Sequence, residues 1–452
     1  MSSAAATPAQ AEDKLDFKRV LPIFVIVLVD LLGLTIIIPV LPLYAVSFGA
    51  DAFTIGLLTA AYPLMQLVGG PLLGGLSDRF GRRPVLVISQ IGTFIGFLLL
   101  AAANVLPLLF LSRLIDGFTG GNIVTAQAAI TDSTTDRTRA QGLGLVGAAF
   151  GLGFVLGPAI SGIALALSGN DYRVPALIAA GFSLASVLLT LAWFKETLPP
   201  EKRGQAHRQR ENAVRRAISA ARRPQIGVLL LLIFLYQLVF GGFKALLALF
   251  NLSRIGLDAA GNALVFVFIG VILVLVQAKF IGPWSRRYGE RRLISAGMAL
   301  LALGLILAAL TPEVPVPWYS RADLTVELEA DQTQAISVPL PQSDNTGWLG
   351  LAWLLGAMLP AAVGGSVISP SINSLITRRT PPTDVGGMLG ASASLVSLAN
   401  AITPLAGGAL FQLFGTSAPF LVGGLMMAAL VVVALRTVRP IPEGAPPLAA
   451  YP

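Results

Sequence analysis

The sequence predicts an all-α membrane protein of twelve transmembrane helices arranged as two six-helix bundles. Three observations predict it. Of the 452 residues, 55% are hydrophobic and only 12% are charged, about half the roughly 25% charged content of a water-facing domain. Apolar stretches long enough to cross a bilayer recur along the chain, six before a basic polar segment and six after it. A short loop sequence following the second stretch returns, altered, after the eighth.

A spanning helix needs about 20 mostly apolar residues. Stretches meeting that requirement lie at 20–44, 53–75, 84–104, 107–131, 140–167 and 175–194, which make an N-terminal bundle over 20–194. A second set at 226–250, 259–282, 292–311, 348–376, 385–413 and 417–437 makes a C-terminal bundle over 226–437. Residues 1–19 and 438–452 are read as tails and 195–225 as a basic linker. The first apolar run, beginning at Val20, exceeds the length of a signal-peptide core and is read as a retained span.

Charge placement orients these spans. With both termini inside, cytoplasmic segments hold 25 of the 31 Lys and Arg residues, among them Arg79, Arg82, Arg83, Arg286, Arg287, Arg291, Arg292, Arg378 and Arg379. The outer loops keep Arg173, Arg254 and Arg321. The positive-inside rule therefore puts both termini in the cytoplasm of a cell whose inner membrane carries the chain. The linker stretch Arg208 to Arg223 sets Val214, Ala217, Ile218 and Ala221 on one helical side among arginines. Such a helix lies on an anionic inner leaflet, so the net charge of +8 is assigned to the lipid bilayer rather than to nucleic acid. Cysteine is absent and the one histidine, His207, sits in the linker, which excludes disulfides and thiolate metal sites. No metal, no cofactor and no enzymatic nucleophile–base pair is expected.

An insert at 312–347, between the ninth and tenth spans, holds Glu313, Asp323, Glu327, Glu329, Asp331 and Asp344 against Arg321 and falls outside. Alternation from Leu324 to Leu328 predicts a short hairpin there.

The halves read as copies. GGLSDRFGRR, Gly74 to Arg83, returns as GPWSRRYGERR, Gly282 to Arg292, at an offset of 208 residues. Arg286 replaces Asp78 and Glu290 reads as an extra residue, so the second copy looks decayed. Gly74, Asp78, Arg79, Gly81, Arg82 and Arg83 match the loop signature of the major facilitator superfamily, which this chain resembles over its whole length. Gly81 permits the turn between helices. Asp78 offers an acceptor to helix N-terminal amides or to an arginine across the bundle interface, with Arg378 and Arg379 the nearest candidates. The resemblance implies that this loop latches the two halves in the outward-open state.

Span five carries GFVLGPAISG, with Gly153, Gly157, Pro158 and Gly162. Glycines at this spacing let helices pack backbone to backbone and the proline bends the helix. The segment resembles the antiporter motif of drug–proton exchangers, with a worn copy at Pro404 and Gly408, offset by 246. Span one, with Asp30, Gly33, Pro39 and Pro42, is similar to the first helix of tetracycline and multidrug efflux members. Arg113 and Gly117 resemble the fourth-helix arginine motif. The resemblance implies a major facilitator fold and proton-coupled efflux of hydrophobic or amphipathic drug-like compounds, tetracyclines among them, by alternating access. A symporter or facilitator for a sugar or organic acid, and a receptor-like member without transport, stay open as alternatives.

An ionised side chain in mid-membrane costs about 2.5–3.5 kcal/mol on insertion scales, so each needs a reason. Those deep within spans are Asp30, Arg113, Asp116 and Lys244. Asp132 and Lys279 lie near the inner ends, where snorkelling accounts for them. Asp30 has no basic neighbour on its helix, and desolvation penalises its ionised form, which suits a proton carrier. Arg113 and Asp116, three apart, share a helix face. They either neutralise one another, or Arg113 exchanges Asp116 for Asp30 as the site protonates. Lys244 either snorkels outward or lines the cavity. Tyr62, Gln66, Asn122, Gln127, Tyr236 and Gln237 are the remaining candidates for a substrate cavity, which needs few polar groups among aromatic and aliphatic ones. The expected partners are a small-molecule substrate and protons, acting on a monomer.

Overall fold

The computed structural model describes residues 16–135, 138–203, 224–329, 337–342, 345–380 and 385–438. The amphipathic stretch expected over 208–223 and the outermost parts of both tails lie outside these residues. Lipid offers no partners for backbone N–H and C=O groups, so a spanning segment satisfies them internally as helix. Among the described residues, eleven helices are long and apolar enough to span.

The twelfth crossing is span four. It is broken at Gly120 and Gly121 into Leu106–Thr119 and Asn122–Asp132, each too short to cross alone. The continuous helix expected over 107–131 is corrected accordingly. Close approach to span two, Ala52–Phe80, explains the glycines. A Cβ on Gly117 would lie 2.4 Å from the Tyr62 carbonyl oxygen, and one on Gly121 2.8 Å from Gly70 Cα.

Span one is also interrupted, running as Phe17–Ile37 and Leu41–Val46 around Pro39, whose ring supplies no N–H for the helical ladder. Spans three, five, six and seven are Arg82–Ala101, Arg139–Ser168, Arg173–Ala192 and Pro224–Ile255. Span eight runs from Ala259–Leu275 through a π turn, Val276–Phe280, into Ile281–Tyr288. Spans nine to twelve are Glu290–Ala309, Leu349–Arg378, Val385–Phe414 and Ala418–Thr437.

Packing repeats with a shift of six spans. Span one packs on five and six, three on four and six, and two on four; likewise seven packs on eleven and twelve, nine on ten and twelve, and eight on ten. The two most extensive pairings between the bundles, two with eleven and five with eight, exchange under the same shift.

These seams close at the end away from the basic loops. A Cβ on Gly56 would lie 2.3 Å from the Pro404 carbonyl oxygen, and one on Gly408 2.5 Å from that of Ala52. The equivalent place on the other seam holds Gly162, whose Cβ would lie 3.1 Å from Ala263 Cβ. At the basic end, Gly144 and Gly147 of span five and Gly390 of span eleven have nothing within 4 Å. The bundles therefore touch at the end away from the basic loops, and these glycines near the basic end make no such contact.

The insert carries a helix, Arg321–Glu329, where a hairpin was expected. Leu324 and Leu328, four apart, are 5% and 1% exposed while Val326 is 69% exposed, so the helical period decides which residues are buried. The insert is fastened to the C-terminal bundle. Val316 N–H donates to the Ile255 carbonyl at 3.0 Å and Arg254 pairs with Glu313. Gly256, at φ +66°, leaves room for the Tyr319 ring, which a Cβ would meet at 2.2 Å.

Candidate functional site

The loop between spans two and three turns on Gly81, at φ +107°, a conformation that suits a residue without Cβ. Asp78 pairs with Arg82 of its own loop. Arg82 Nε also donates to Asp132 at the end of span four, at 2.9 Å, and its Nη1 to Ser77 at 2.8 Å. The amides opening span three are held instead by Glu196, which accepts from Arg82 N at 2.9 Å and Arg83 N at 3.1 Å. Arg83 donates to the Leu191 carbonyl at 2.5 Å, closing the end of span six.

The second copy of this loop is inverted in sign rather than decayed. Glu290 stands 208 positions after Arg82, and Arg378 stands 246 after Asp132; the two form an ion pair of 3.0 Å. Ser285 donates to Glu290 at 3.2 Å, as Ser77 meets Arg82. Arg291 donates to the Leu435 carbonyl at 2.6 Å, as Arg83 does to Leu191. Each bundle thus ties the start of its third helix to the end of its fourth by one ion pair, with the charges exchanged. Arg378 is engaged with Glu290, and Arg379 donates to Gln225 at 3.0 Å.

In span five, Gly157 packs on span one so closely that a Cβ would lie 2.2 Å from Thr35 Oγ1. Gly153 meets the same threonine at an ordinary 3.5 Å. Gly162, one turn beyond Pro158, faces span eight.

A polar cluster fills the middle of the N-terminal bundle. Asn122, first residue after the break in span four, donates Nδ2 to Asp30 Oδ2 at 2.7 Å. The other oxygen, Asp30 Oδ1, is buried and without a hydrogen-bond partner. Arg113 and Asp116, 2% and 1% exposed, form an ion pair of 3.1 Å, and Arg113 lies 5.4 Å over the Phe97 ring. Gln66 donates to Gly120 O at 3.0 Å and to Tyr62 Oη at 3.3 Å, tying span two to the break. Gln127 stands exposed farther along span four, away from this cluster.

In the C-terminal bundle, Tyr236 donates to the Gly365 carbonyl at 2.8 Å and is 2% exposed, a packed position. Gln237 donates to Asn400 of span eleven at 2.7 Å. Lys244 Nζ lies 4.9 Å from the Phe240 ring centre and 5.2 Å from that of Phe154 in span five. Contacts of this kind contribute about 0.5–2 kcal/mol each, enough to offset much of the cost of a cation at this depth.

The model of the Major Facilitator Superfamily matches residues 23–322 and 340–450. The chain belongs to this superfamily. It is similar to the class D tetracycline resistance protein of Salmonella ordonez, 29% identical, with 93% of this chain and 97% of that protein aligned. The class C tetracycline resistance protein of Escherichia coli is 31% identical over 84% of this chain and 86% of its own. The solved structure of the human organic anion transporter MFSD10 superposes with a TM-score of 0.64 at 23% identity, covering 94% of this chain and all of that one; at that identity it speaks for the fold.

This major facilitator protein is thus a multi-pass membrane transporter of small molecules and not an enzyme, and its relatives support drug efflux in general terms. Several residues that shape the site escape sequence inspection. Glu196 lies 114 positions from the amide it caps, and Asn400, Phe154 and Phe240 look like ordinary residues of apolar helices. Asp51 and Asp258, which accept from Thr54 N and Gly261 N at the starts of spans two and eight, do carry a signal, each an aspartate just before a helix.

Proposed function

We propose that the chain exports hydrophobic or amphipathic drug-like compounds across an inner membrane in exchange for protons, with both termini in the cytoplasm. The observation that carries this is the Asp30 carboxyl group, mid-span, with one oxygen held by Asn122 and the other buried and unoccupied by any donor. The dry oxygen is where a transported proton would sit. Its neighbour at the span-four break sets the orientation, and the Arg113–Asp116 pair stands ready to exchange partners.

Alternating access around this site requires the seams at the outer end to open as the basic end closes. Asp78 pairs with Arg82 of its own loop, and we read this loop as the latch between the bundles in the outward-open state. The substrate enters from the cytoplasmic opening among Tyr62, Gln66, Gln237 and Lys244. One exchanged charge draws about 2.3 kcal/mol per 100 mV from the membrane potential, so one or two protons drive useful accumulation.

A resistance panel of cells expressing the chain, repeated with a proton uncoupler, tests this reading. Protection that the uncoupler removes is expected, and tetracyclines in the panel separate a narrow from a broad range. Protection that persists at full strength with the uncoupler would refute proton coupling.

A further inference from the structure

We propose that Lys244 is an anion-binding residue of the transport cavity, so that the exported compounds carry a carboxylate, sulfonate or enolate beside an aromatic body. This rests on the efflux reading above and adds the charge of the cargo to it.

Lys244 sits at the seam between the bundles, its ammonium between Phe240 of its own helix and Phe154 of the opposite bundle. Side chains on a helix point toward its N-terminus, which for span seven is the basic end. The ring of Phe240 lies one turn in that direction, so the ammonium is drawn inward, away from the outer interface that a snorkelling lysine would seek. Lys244 is half-buried, its ammonium set between a ring of each bundle.

The other ionisable groups in mid-span have partners of their own. Arg113 is paired with Asp116, and Asp30 is held by Asn122. Among the described residues no carboxylate pairs with Lys244, and its ammonium lies against two π faces. A cation at that depth with no carboxylate partner among the described residues, framed by aromatic rings from both bundles, is complementary to an aromatic anion. The rings take the body of the ligand and the ammonium takes its charge. Since Phe154 belongs to one bundle and Lys244 to the other, opening the outer seam would part them and leave the anion on one side only.

The test uses the full chain, purified into lipid nanodiscs, with two probes of one ring skeleton. 1-Anilinonaphthalene-8-sulfonate carries a sulfonate; N-phenyl-1-naphthylamine lacks it and is neutral. After subtraction of binding to empty nanodiscs, the sulfonate is expected to bind about tenfold more tightly than the amine, as a hydrogen bond to a charged group would give. Lys244→Gln should erase that preference and leave the amine's affinity unchanged, and Lys244→Arg should keep it. Lys244→Met, apolar and of similar length, replaces Lys244→Gln should the latter not fold. Equal affinity of the wild type for both probes, no binding of the sulfonate, or an equal loss of both probes in the variant would overturn the proposal. Net uptake of the probes into proteoliposomes with and without an imposed proton gradient separates the two readings. Gradient-independent accumulation strikes at proton exchange and leaves the anion site standing.

Discussion

Asn170 and Asp258 meet across the seam between spans five and eight, Nδ2 donating to Oδ2 at 3.1 Å. Gln412 and Asp51 repeat the contact at 3.0 Å with the bundles exchanged. Each aspartate also caps the helix it precedes, accepting from Gly261 N or Thr54 N at 2.8 Å. One carboxylate therefore both starts a helix and fastens the end of a helix from the other bundle. Hydrogen bonds of this kind contribute about 0.5–1.5 kcal/mol each. Asn170→Ala and Gln412→Ala should each shift the balance toward the outward-open form by about threefold to tenfold, read from distances between spin labels on spans two and eleven. Unchanged distances in the double variant would show that the clamps do not hold the seam.

The insert adds further ties to the N-terminal bundle, one of them from Ser337 to the Gly49 carbonyl at 3.0 Å. Glu327 accepts from Asn170 at 3.1 Å and from Tyr172 at 3.2 Å, joining the helix Arg321–Glu329 to the N-terminal bundle. Burial pushes its carboxyl up from the ordinary value and the charge of Asp258 adds to the rise, against the lowering effect of hydrogen bonds from Asn170 and Tyr172. A raised value in the bridged form means that bridging binds a proton, so this contribution is present at acid pH and fades as pH rises through the raised value. The same label distances taken between about pH 4 and about pH 8 should show the tie loosening toward the alkaline end. Glu327→Gln should remove that part of the dependence, and a slope unaltered by the substitution would refute the assignment.

Gly157→Ala places a methyl group 2.2 Å from Thr35 Oγ1, whereas Gly153→Ala makes an ordinary 3.5 Å contact. Overpacking of this kind costs about 1–3 kcal/mol. The melting temperature of purified protein should fall for the first variant and stay near the wild-type value for the second. Equal melting of the two would mean that span five relaxes away from span one freely.

Arg113→Ala would strand Asp116 in a site where both are nearly inaccessible. Removing one partner of such a pair costs about 3–5 kcal/mol, while Arg113→Ala combined with Asp116→Ala should cost less than the single change. A thermal-melt comparison of the three proteins measures the coupling. The partner exchange with Asp30 is read separately, from a double-mutant cycle of Arg113 and Asp30 on proton release; additive effects there would leave Arg113 a neutralising residue alone.

Spans, repeat and signature loops were legible because lipid forces each crossing into a long apolar helix and confines charge to the loops. The break in span four was not, since Gly120 and Gly121 within an apolar run read as small packing residues until Tyr62 and Gly70 are seen against them. Glu290 reads as an insertion when the paired arginines of the two loops are aligned. Only the contact with Arg378 reveals that it stands where Arg82 stands, with the opposite sign. The alternation from Leu324 to Leu328 is too short to separate a period of two from one of four. Asp30 could be picked out as a lone acid in oil, but its tie to Asn122, 92 positions away, belongs to the fold.

Proton release on substrate addition, followed with a pH dye in proteoliposomes, addresses Asp30 most directly. Wild-type protein should release protons when substrate is added. Folded Asp30→Asn protein should release none while still exchanging labelled for unlabelled substrate at a rate within about twofold of wild type, since exchange needs the cavity and not the proton. Undiminished proton release from that variant would remove Asp30 from the coupling mechanism.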